Sequence, residues 1–257
     1  TSPSRAVILL RDITEREELN RLQEEMISSI SHEMRTPLTK IQSISDLITS
    51  SLERNEPIPD RKYLDTLSTE SQRLSQFLDR ILDVHQLETH QFQVELRPLP
   101  LTFIVENLIE EWRIIVPRRR IEFVKPKTSV WVMADENALN SILSNLIDNA
   151  VKYSPQHSEI RVELSISNNK TAEVSVIDFG PGIEPDKQSL IFNRFYRATG
   201  GDSQEVYGHG IGLYVAKMLT ESLGGKIWVE SKPGEGSCFR ISLPIMEATH
   251  ETQNHND

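Results

Sequence analysis

The first part of the chain, to about residue 90, repeats apolar residues at helical spacing. A first stripe is formed by Leu19, Leu22 and Met26 and continues, slightly shifted, through Ile30, Met34, Leu38, Ile41 and Ile48. The segment "ERNEPIPD" (53–60) interrupts the pattern with two prolines. A second stripe follows at Leu64, Leu67, Ser71, Leu74, Leu78 and Ile81. The pattern predicts two long helices joined by a short loop, which form an antiparallel hairpin over residues 15–92.

One hairpin cannot bury a one-sided apolar stripe by itself. Two copies can pair their stripes in a four-helix bundle, so the sequence predicts a homodimer. The alternative is that the second half of the same chain covers the stripe.

The hydrophobic pattern changes after residue 91. "SVWVMA" (129–134) is typical of a short strand, and Asp135 is placed to cap a helix that runs to about Lys152. Two strands are predicted by Ile160, Val162, Leu164 and Ile166 and by Val174, Val176 and Ile177, with a turn at Asn168-Asn169. A loop-rich stretch (179–209), a helix (about 211–223) and a final strand pair, "GGKIWVES" and "SCFRISLP", complete the region. This order indicates a two-layer α/β sandwich over residues 97–246, and the polar residues 247–257 are predicted to be a disordered tail.

The predicted helix at 135–152 has two different faces. Leu139, Ile142, Leu143, Leu146 and Ala150 share one arc that can cover a sheet, whereas Asn145, Asp148, Asn149 and Lys152 share another. The second arc is either a plain solvated face or a ligand site. Asparagine is a poor helix former, which favours the ligand site, and amide oxygens suit Mg²⁺ that is shared with phosphates. Lys152 is placed to meet a phosphate oxygen.

Two glycine segments follow in the same region. "DFGPGI" (178–183) comes after a strand and "GHGIGL" (208–213) opens a helix. Alternate glycines permit close approach of the backbone to a ligand, and a helix N-terminus favours bound phosphate. Asp178 is suited to accept a hydrogen bond from the amino group of a base. Either segment alone is weak evidence, but both together after the asparagine-bearing helix predict a nucleotide site. The segment between them, "IFNRFYRATGGDSQEVY" (191–207), contains Gly200-Gly201 and fits a mobile lid over the ligand.

Charge and composition exclude several classes of protein. The formal net charge is -10, which argues against a nucleic-acid-binding protein, and Arg118-Arg119-Arg120 is interpreted as a solvated charge cluster. The single cysteine, Cys238, excludes a disulfide framework and fits a reducing compartment. No apolar run is long enough to span a bilayer. We therefore expect a cytoplasmic fragment without direct membrane contact, whose full-length protein can still be anchored upstream.

Five segments in order resemble the transmitter module of the sensor histidine kinases of two-component systems. They are "SHEMRTPL", "NLIDNAVKYS", "DFGPGI", "FNRFYRA" and "GHGIGLYVAK". The resemblance implies a dimerisation and histidine-phosphotransfer hairpin (15–92) followed by a catalytic ATP-binding domain (97–246). The opening "RAVILLRDITEREELNRLQEE" is similar to the last strand of a PAS sensor domain running into a signalling helix, which assigns residues 1–14 to an upstream sensor.

The resemblance also implies a role for each motif residue. His32 is the expected phosphoacceptor and Glu33 the neighbouring base. Asn149 and Asn145 would hold Mg²⁺ on the phosphates of ATP, and Lys152 and Arg197 would contact those phosphates. Tyr153 would pack near adenine, and Asp178 would bind its amino group. The pocket and the lid hinges would be shaped by Gly180, Gly182, Ile183, Gly208, Gly210, Gly212 and Leu213.

Pro37 and Thr36 add two hypotheses. Pro37 leaves the carbonyl of Glu33 without its helical partner, so the helix can bend there and expose or mask His32. Thr36 lies one turn after His32. The spacing resembles the family's phosphatase signature, in which a threonine orients water against a phospho-aspartate.

The expected activity is autophosphorylation of His32 by ATP, followed by transfer to an aspartate on a separate response regulator. One rival is an ATPase of the same nucleotide-binding fold, as in type II topoisomerases or chaperones, which would lack the histidine-bearing hairpin. The other is a dimeric scaffold that binds nucleotide without turnover.

Overall fold

The computed structural model describes residues 14–54, 61–88, 94–167, 170–198 and 210–246. The chain divides into two compact units, residues 1–78 and 79–257. Within the described residues, no helix combines the length and the apolar character that a bilayer crossing requires. The expectations of a PAS-like start, of a turn at Asn168-Asn169 and of a polar tail fall outside the described residues.

The first unit is built from two long helices, α1 (Thr14–Glu53) and α2 (Arg61–Glu88), of which α2 continues past residue 78. α1 is a continuous helix with Pro37 inside it. α2 returns along α1, since Nζ of Lys40 donates to Oε1 of Glu70 at 3.0 Å. Glu70 is only 3% exposed and also pairs with Arg73 at 2.9 Å, so a buried carboxylate between two cations joins the helices.

The predicted apolar stripe of the hairpin is only partly buried at the positions that the structure describes. Ile30, Met34 and Ile41 are half-buried, whereas Leu38 is 45% and Leu64 49% exposed.

The second unit is an α/β structure in which three helices lie beside a mixed sheet. Its elements are β1 (Arg97–Pro100), α3 (Leu101–Ile115), β2 (Ile121–Val124), β3 (Trp131–Ala134), α4 (Glu136–Tyr153), β4 (Ile160–Ser167), β5 (Thr171–Asp178), a 3₁₀ turn (Leu190–Phe192), α5 (Gly212–Ser222), β6 (Lys226–Lys232) and β7 (Gly236–Pro244). The main sheet has the order β2-β4-β5-β7-β6, with only the β2–β4 pair parallel, and β1 pairs with β3 in a separate antiparallel ribbon. α4 contacts β5 and α5, and α5 contacts β6.

The two faces of the sheet differ in chemistry because residues alternate along each strand. Phe239, Ile241 and Leu243 of β7 are buried. Arg240 of the same strand lies on the opposite face, where it pairs with Glu173 of β5 at 2.5 Å and Glu230 of β6 at 3.2 Å. One arginine thus joins carboxylates of both neighbouring strands.

The predicted fold class, a helical N-terminal part followed by an α/β domain, is confirmed. The apolar arc of α4 is buried as expected, and β3, β4, β5, α5 and the β6–β7 pair occur where the pattern predicts them. β1, α3 and β2 were not predicted.

Candidate functional site

α4 carries most of the candidate residues, and Asp135 fixes its start. Oδ1 of Asp135 accepts the N–H of Ala138 at 3.0 Å, and Oδ2 accepts the N–H of Glu95 at 3.0 Å. Burial acts to raise the pKa of Asp135. These two donors, the N–H of Asn137 and the charge of Arg97 together outweigh burial and hold the pKa below its ordinary value of 3.8. The N-cap that the sequence predicts is therefore present as an ionised carboxylate.

A cleft opens between the polar face of α4, the turn after β5 and the start of α5. It contains about 950 Å³ of space free of protein atoms, a figure that includes space open to solvent. Eleven predicted site residues line it: Asn145, Asn149, Lys152, Tyr153, Asp178, Gly182, Ile183, Arg197, Gly210, Gly212 and Leu213. Residues that the sequence analysis had not assigned also line it: Asp148, Pro181, Ile191, Tyr196, Ala198, Ser237 and Phe239.

Asn145 lies against the first residue of α5. Its Nδ2 donates to the carbonyl of Ser141 at 2.9 Å. Its Oδ1 faces Gly212, where a Cβ would lie only 2.7 Å from that oxygen. An alanine at position 212 would therefore require the Asn145 side chain to move.

Lys152 is engaged by Asp148 one turn earlier. Their Nζ–Oδ2 distance is 2.5 Å, and both side chains are about a quarter to a third exposed. A phosphate that approaches Lys152 has to share the ammonium with this carboxylate. Asp148 is thus part of the charge balance of the cleft. The sequence analysis had placed it on this polar face but had given it no role.

Tyr153 and Arg197 interact across the cleft. Burial raises the pKa of the Tyr153 hydroxyl, while the charge of Arg197 acts in the opposite direction. Arg197 therefore lies close enough to the last turn of α4 for its charge to act on Tyr153.

Asp178 ends β5 inside the cleft and is 4% exposed. Burial raises its pKa above the ordinary 3.8, although the N–H groups of Gly180 and Ser237 oppose the shift. The Gly180 N–H···Oδ1 distance is 2.8 Å. A Cβ on Gly180 would lie 2.8 Å from the carbonyl oxygen of Tyr153 and 2.9 Å from Oδ1 of Asp178, so this glycine permits β5 to lie beside the end of α4.

The turn at residues 181–183 is fixed against the β6–β7 hairpin. Gly182 has φ +73, and a Cβ there would lie 2.0 Å from the carbonyl oxygen of Lys232. The N–H of Ile183 donates to Oγ of Ser231 at 2.9 Å. Gln188 Nε2 donates to the carbonyls of both Ile183 (3.0 Å) and Ser231 (2.8 Å). The sequence analysis had assigned no role to Gln188 or Ser231.

Gly210 and Phe195 close the base of the second glycine segment. Both have positive φ, +65 and 62 respectively, and the N–H of Phe195 donates to the carbonyl of Gly210 at 2.9 Å. A Cβ on Gly210 would lie 2.7 Å from the carbonyl carbon of Phe195. Gly208 and residues 199–207 of the predicted lid lie outside the described residues, whereas residues 191–198 of the lid are described.

His32, Glu33 and Thr36 all belong to α1. Thr36 is exposed and Pro37 is buried, whereas the side chains of His32 and Glu33 are outside the described set. α1 continues through Pro37, and the hinge hypothesis stays a prediction.

The donor set of the cleft fits a nucleotide with a hydrated divalent cation. Asp178 offers a buried acceptor at one side, and Asn145 and Asn149 offer amide oxygens on α4. Mg²⁺ needs only one or two protein ligands when phosphates and water supply the rest. In the described part of the chain no three His, Cys, Asp or Glu side chains are grouped as a metal site.

Two family models match the chain. Residues 22–90 match the His Kinase A (phospho-acceptor) domain, and residues 134–247 match the histidine kinase-, DNA gyrase B-, and HSP90-like ATPase. The cleft described above lies in the second match, and His32 lies in the first.

Curated relatives align with nearly the whole chain and are longer than it. The sensor histidine kinase WalK of Bacillus subtilis is 26% identical over 244 residues, which cover 94% of this chain and 40% of WalK. The adaptive-response sensory kinase SasA of Synechocystis is 29% identical over 246 residues, covering 93% and 63%. The chain thus spans less than two thirds of either relative. Among solved structures, full-length ShkA in complex with AMPPNP has 25% identity and a TM-score of 0.60 over 86% of this chain and 46% of ShkA.

Proposed function

Because the chain belongs to the sensor histidine kinases, as its two domains and its relatives show, we propose that it transfers the γ-phosphoryl group of ATP to His32 and then to an aspartate of a response regulator. The observation that carries the proposal is the α4 cleft. It unites a buried carboxylate, two amides, a lysine and three glycines in one place. ShkA was solved with an ATP analogue, which supports the use of ATP by this chain.

The adenine end of the nucleotide is proposed to bind at Asp178. Its Oδ1 already accepts the Gly180 N–H, and the remaining acceptor capacity of the carboxylate serves the exocyclic amine. Tyr153 and Ile183 provide the apolar walls. This assignment follows from the chemistry of a buried acceptor beside apolar groups.

The phosphate end is proposed to lie near the start of α5 and the polar face of α4. Free N–H groups at the first turn of α5 favour anionic oxygens. Asn149 and Asn145 are the proposed Mg²⁺ ligands, and bound Mg²⁺ would neutralise charge on the phosphates. Lys152 would move between Asp148 and a phosphate oxygen, and Arg197 would approach from the other side.

In the proposed phosphoryl transfer, a neutral ring nitrogen of His32 attacks the γ-phosphorus. A nitrogen–phosphorus bond forms, the bond to the β,γ-bridging oxygen breaks, and ADP leaves. Glu33 accepts the proton from the other ring nitrogen, which keeps the imidazole nucleophilic. The phosphoryl group then passes from His32 to a carboxylate oxygen of the regulator. As the nitrogen–phosphorus bond breaks, Glu33 returns the proton to the other ring nitrogen, which regenerates neutral His32.

Thr36 is proposed to orient water for hydrolysis of the regulator's phospho-aspartate. Its exposed position in α1, one turn after His32, supports access to a docked partner. A Thr36→Ala variant should lose most of the dephosphorylation while it retains autophosphorylation. A variant that dephosphorylates the regulator at the original rate contradicts the assignment.

The organisation around these reactions is also a proposal. We assign residues 1–14 to an upstream sensor, 15–92 to the dimerising hairpin, 97–246 to the catalytic domain and 247–257 to a tail. The exposed leucines of the hairpin support a homodimer in the form of a four-helix bundle. Dependence on ATP and the single cysteine support a cytoplasmic setting.

The test is incubation with γ-labelled ATP and Mg²⁺. We compare the chain with His32→Gln and with His157→Gln, a matched control at an exposed histidine in the catalytic unit. An acid-labile, alkali-stable label that disappears only in His32→Gln supports the proposal. A label that persists in His32→Gln means that another residue is the acceptor, and ATP hydrolysis without protein labelling favours the ATPase alternative. ATP binding with neither labelling nor hydrolysis favours the scaffold.

A further inference from the structure

Arg119, between α3 and β2, contacts the end of α4. Its Nη2 donates to the carbonyl oxygens of Val151 at 2.9 Å and Ser154 at 3.2 Å. Its Nη1 donates to the carbonyl of Pro155 and to Oγ of Ser158, the latter at 3.2 Å. The interpretation of this arginine as part of a solvated cluster is therefore wrong.

These contacts replace an ordinary helix C-cap. The last four carbonyls of a helix lack helical partners, and many helices satisfy them with a glycine in the left-handed conformation. α4 instead ends at Ser154 with φ -84 and ψ 149, an extended conformation in which its N–H bonds only the carbonyl of Ala150. Arg119 supplies donors to this end, and its charge complements the negative end of the helix dipole.

The turn that Arg119 holds is the turn that forms one wall of the cleft. Lys152 and Tyr153 belong to it, and Asn149 lies one turn earlier. The carbonyl of Tyr153 also lies against Gly180 beside Asp178. A displacement of this turn moves residues at both proposed ends of the nucleotide.

We propose that Arg119 is a positioning residue for the nucleotide: it holds the last turn of α4 in the arrangement that binds ATP. The inference rests on the proposed function of the cleft. Without the guanidinium, the turn populates frayed conformations, and the apparent Kd rises by the reciprocal of the competent fraction.

The test compares Arg119→Ala and Arg119→Lys with Arg118→Ala, which removes the same charge from the exposed neighbouring position. ATP affinity is measured by titration in the presence of Mg²⁺. Loss of several charge-assisted hydrogen bonds predicts a Kd about tenfold higher for Arg119→Ala. The Kd of Arg118→Ala should stay within about twofold of the Kd of the unaltered chain. Both alanine variants change the long-range field similarly, so a larger effect of Arg119→Ala comes from the contacts that only Arg119 makes. Arg119→Lys should be intermediate, because an ammonium lacks the planar fork.

Autophosphorylation kinetics separate positioning from general stability. Positioning predicts a higher KM for ATP with kcat largely retained at saturation, because bound ATP selects the ordered turn. A lower Tm with unchanged Kd and KM in Arg119→Ala overturns the inference. Equal Kd values for the alanine variants at 118 and 119 also overturn it. If Arg119→Ala does not fold, Arg119→Lys decides by the same criterion. If the unaltered chain binds no ATP, the proposed function fails first and this inference falls with it.

Discussion

Gly182 offers the sharpest test of the cleft geometry, because a second glycine nearby provides a matched control. Gly182 and Gly234 have similar positive φ values, +73 and +81. A Cβ on Gly234 would meet nothing within 4 Å, whereas one on Gly182 would lie 2.0 Å from the carbonyl oxygen of Lys232 and 2.6 Å from its carbon. The two alanine variants share the conformational cost and differ in the collision.

The magnitudes follow from these contacts. Placing alanine in the left-handed region costs roughly 1–2 kcal/mol, and the lower entropy of the unfolded chain offsets about 0.4–1 kcal/mol. Gly234→Ala should therefore lose about 1 kcal/mol. In Gly182→Ala the hairpin has to shift, which weakens the Glu235 N–H···O=C Lys232 and Gly234 N–H···O=C Pro181 bonds (3.0 and 2.7 Å). At about 1 kcal/mol per hydrogen bond, the total for Gly182→Ala is about 3 kcal/mol.

Guanidinium unfolding followed by tryptophan fluorescence measures both free energies of unfolding in the whole chain. The expected difference between the variants is about 2 kcal/mol, with a parallel loss of ATP affinity only in Gly182→Ala. If the two variants unfold within about 0.5 kcal/mol of each other, the collision is relieved at no cost and the reasoning is wrong. Normal ATP affinity in Gly182→Ala would show that this turn does not shape the site.

Three further outcomes are expected. Asp178→Asn should raise the Kd for ATP at least about tenfold without lowering the Tm at pH 7. Because the pKa of Asp178 is raised in the folded protein, its stabilisation of the fold is present below pH 3.8 and lost as pH rises through its folded-state pKa. A lower Tm in the variant at pH 7 would contradict this. Asp135→Ala should lower the free energy of unfolding, measured with urea at pH 7, by about 1–2 kcal/mol. Because the pKa of this N-cap is lowered, the difference in stability between the variant and the unaltered chain should shrink as pH falls below 3.8, and a constant difference would contradict this. Leu38→Glu, at a 45% exposed stripe position, should shift sedimentation equilibrium toward monomer with unchanged helical circular dichroism, and an unaffected dimer would exclude this face.

Local patterns made much of this fold predictable from the sequence. Asp135 begins α4 because its side chain satisfies the N–H of Ala138, and this signal is contained in four consecutive residues. The apolar arc of α4 and the alternation in β4 are local in the same way. The shared position of Asn145 and Asn149 on one helix face also follows from helical geometry alone.

Other features depend on contacts between residues far apart in the chain. The β1–β3 ribbon pairs Arg97 with Ala134, and the sequence of neither short strand predicts this pairing. Gln188 reaches Ser231 across 43 positions, and Arg119 reaches Val151 across 32. An arginine within a basic run looks the same in the sequence whether it is solvated or caps a distant helix. Only the tertiary structure distinguishes the two cases.

The charged face of the sheet has a consequence for folding fidelity. Side chains alternate between faces with a period of two, so a one-residue slip of β7 would turn Arg240 toward the helices and expose Phe239 and Ile241. The pairs from Arg240 to Glu173 and Glu230 lock the strand against that slip from the solvent side. The same register places Ser237 opposite Asp178. An error in strand pairing would therefore disrupt the adenine end of the proposed site without any change in the amino-acid sequence.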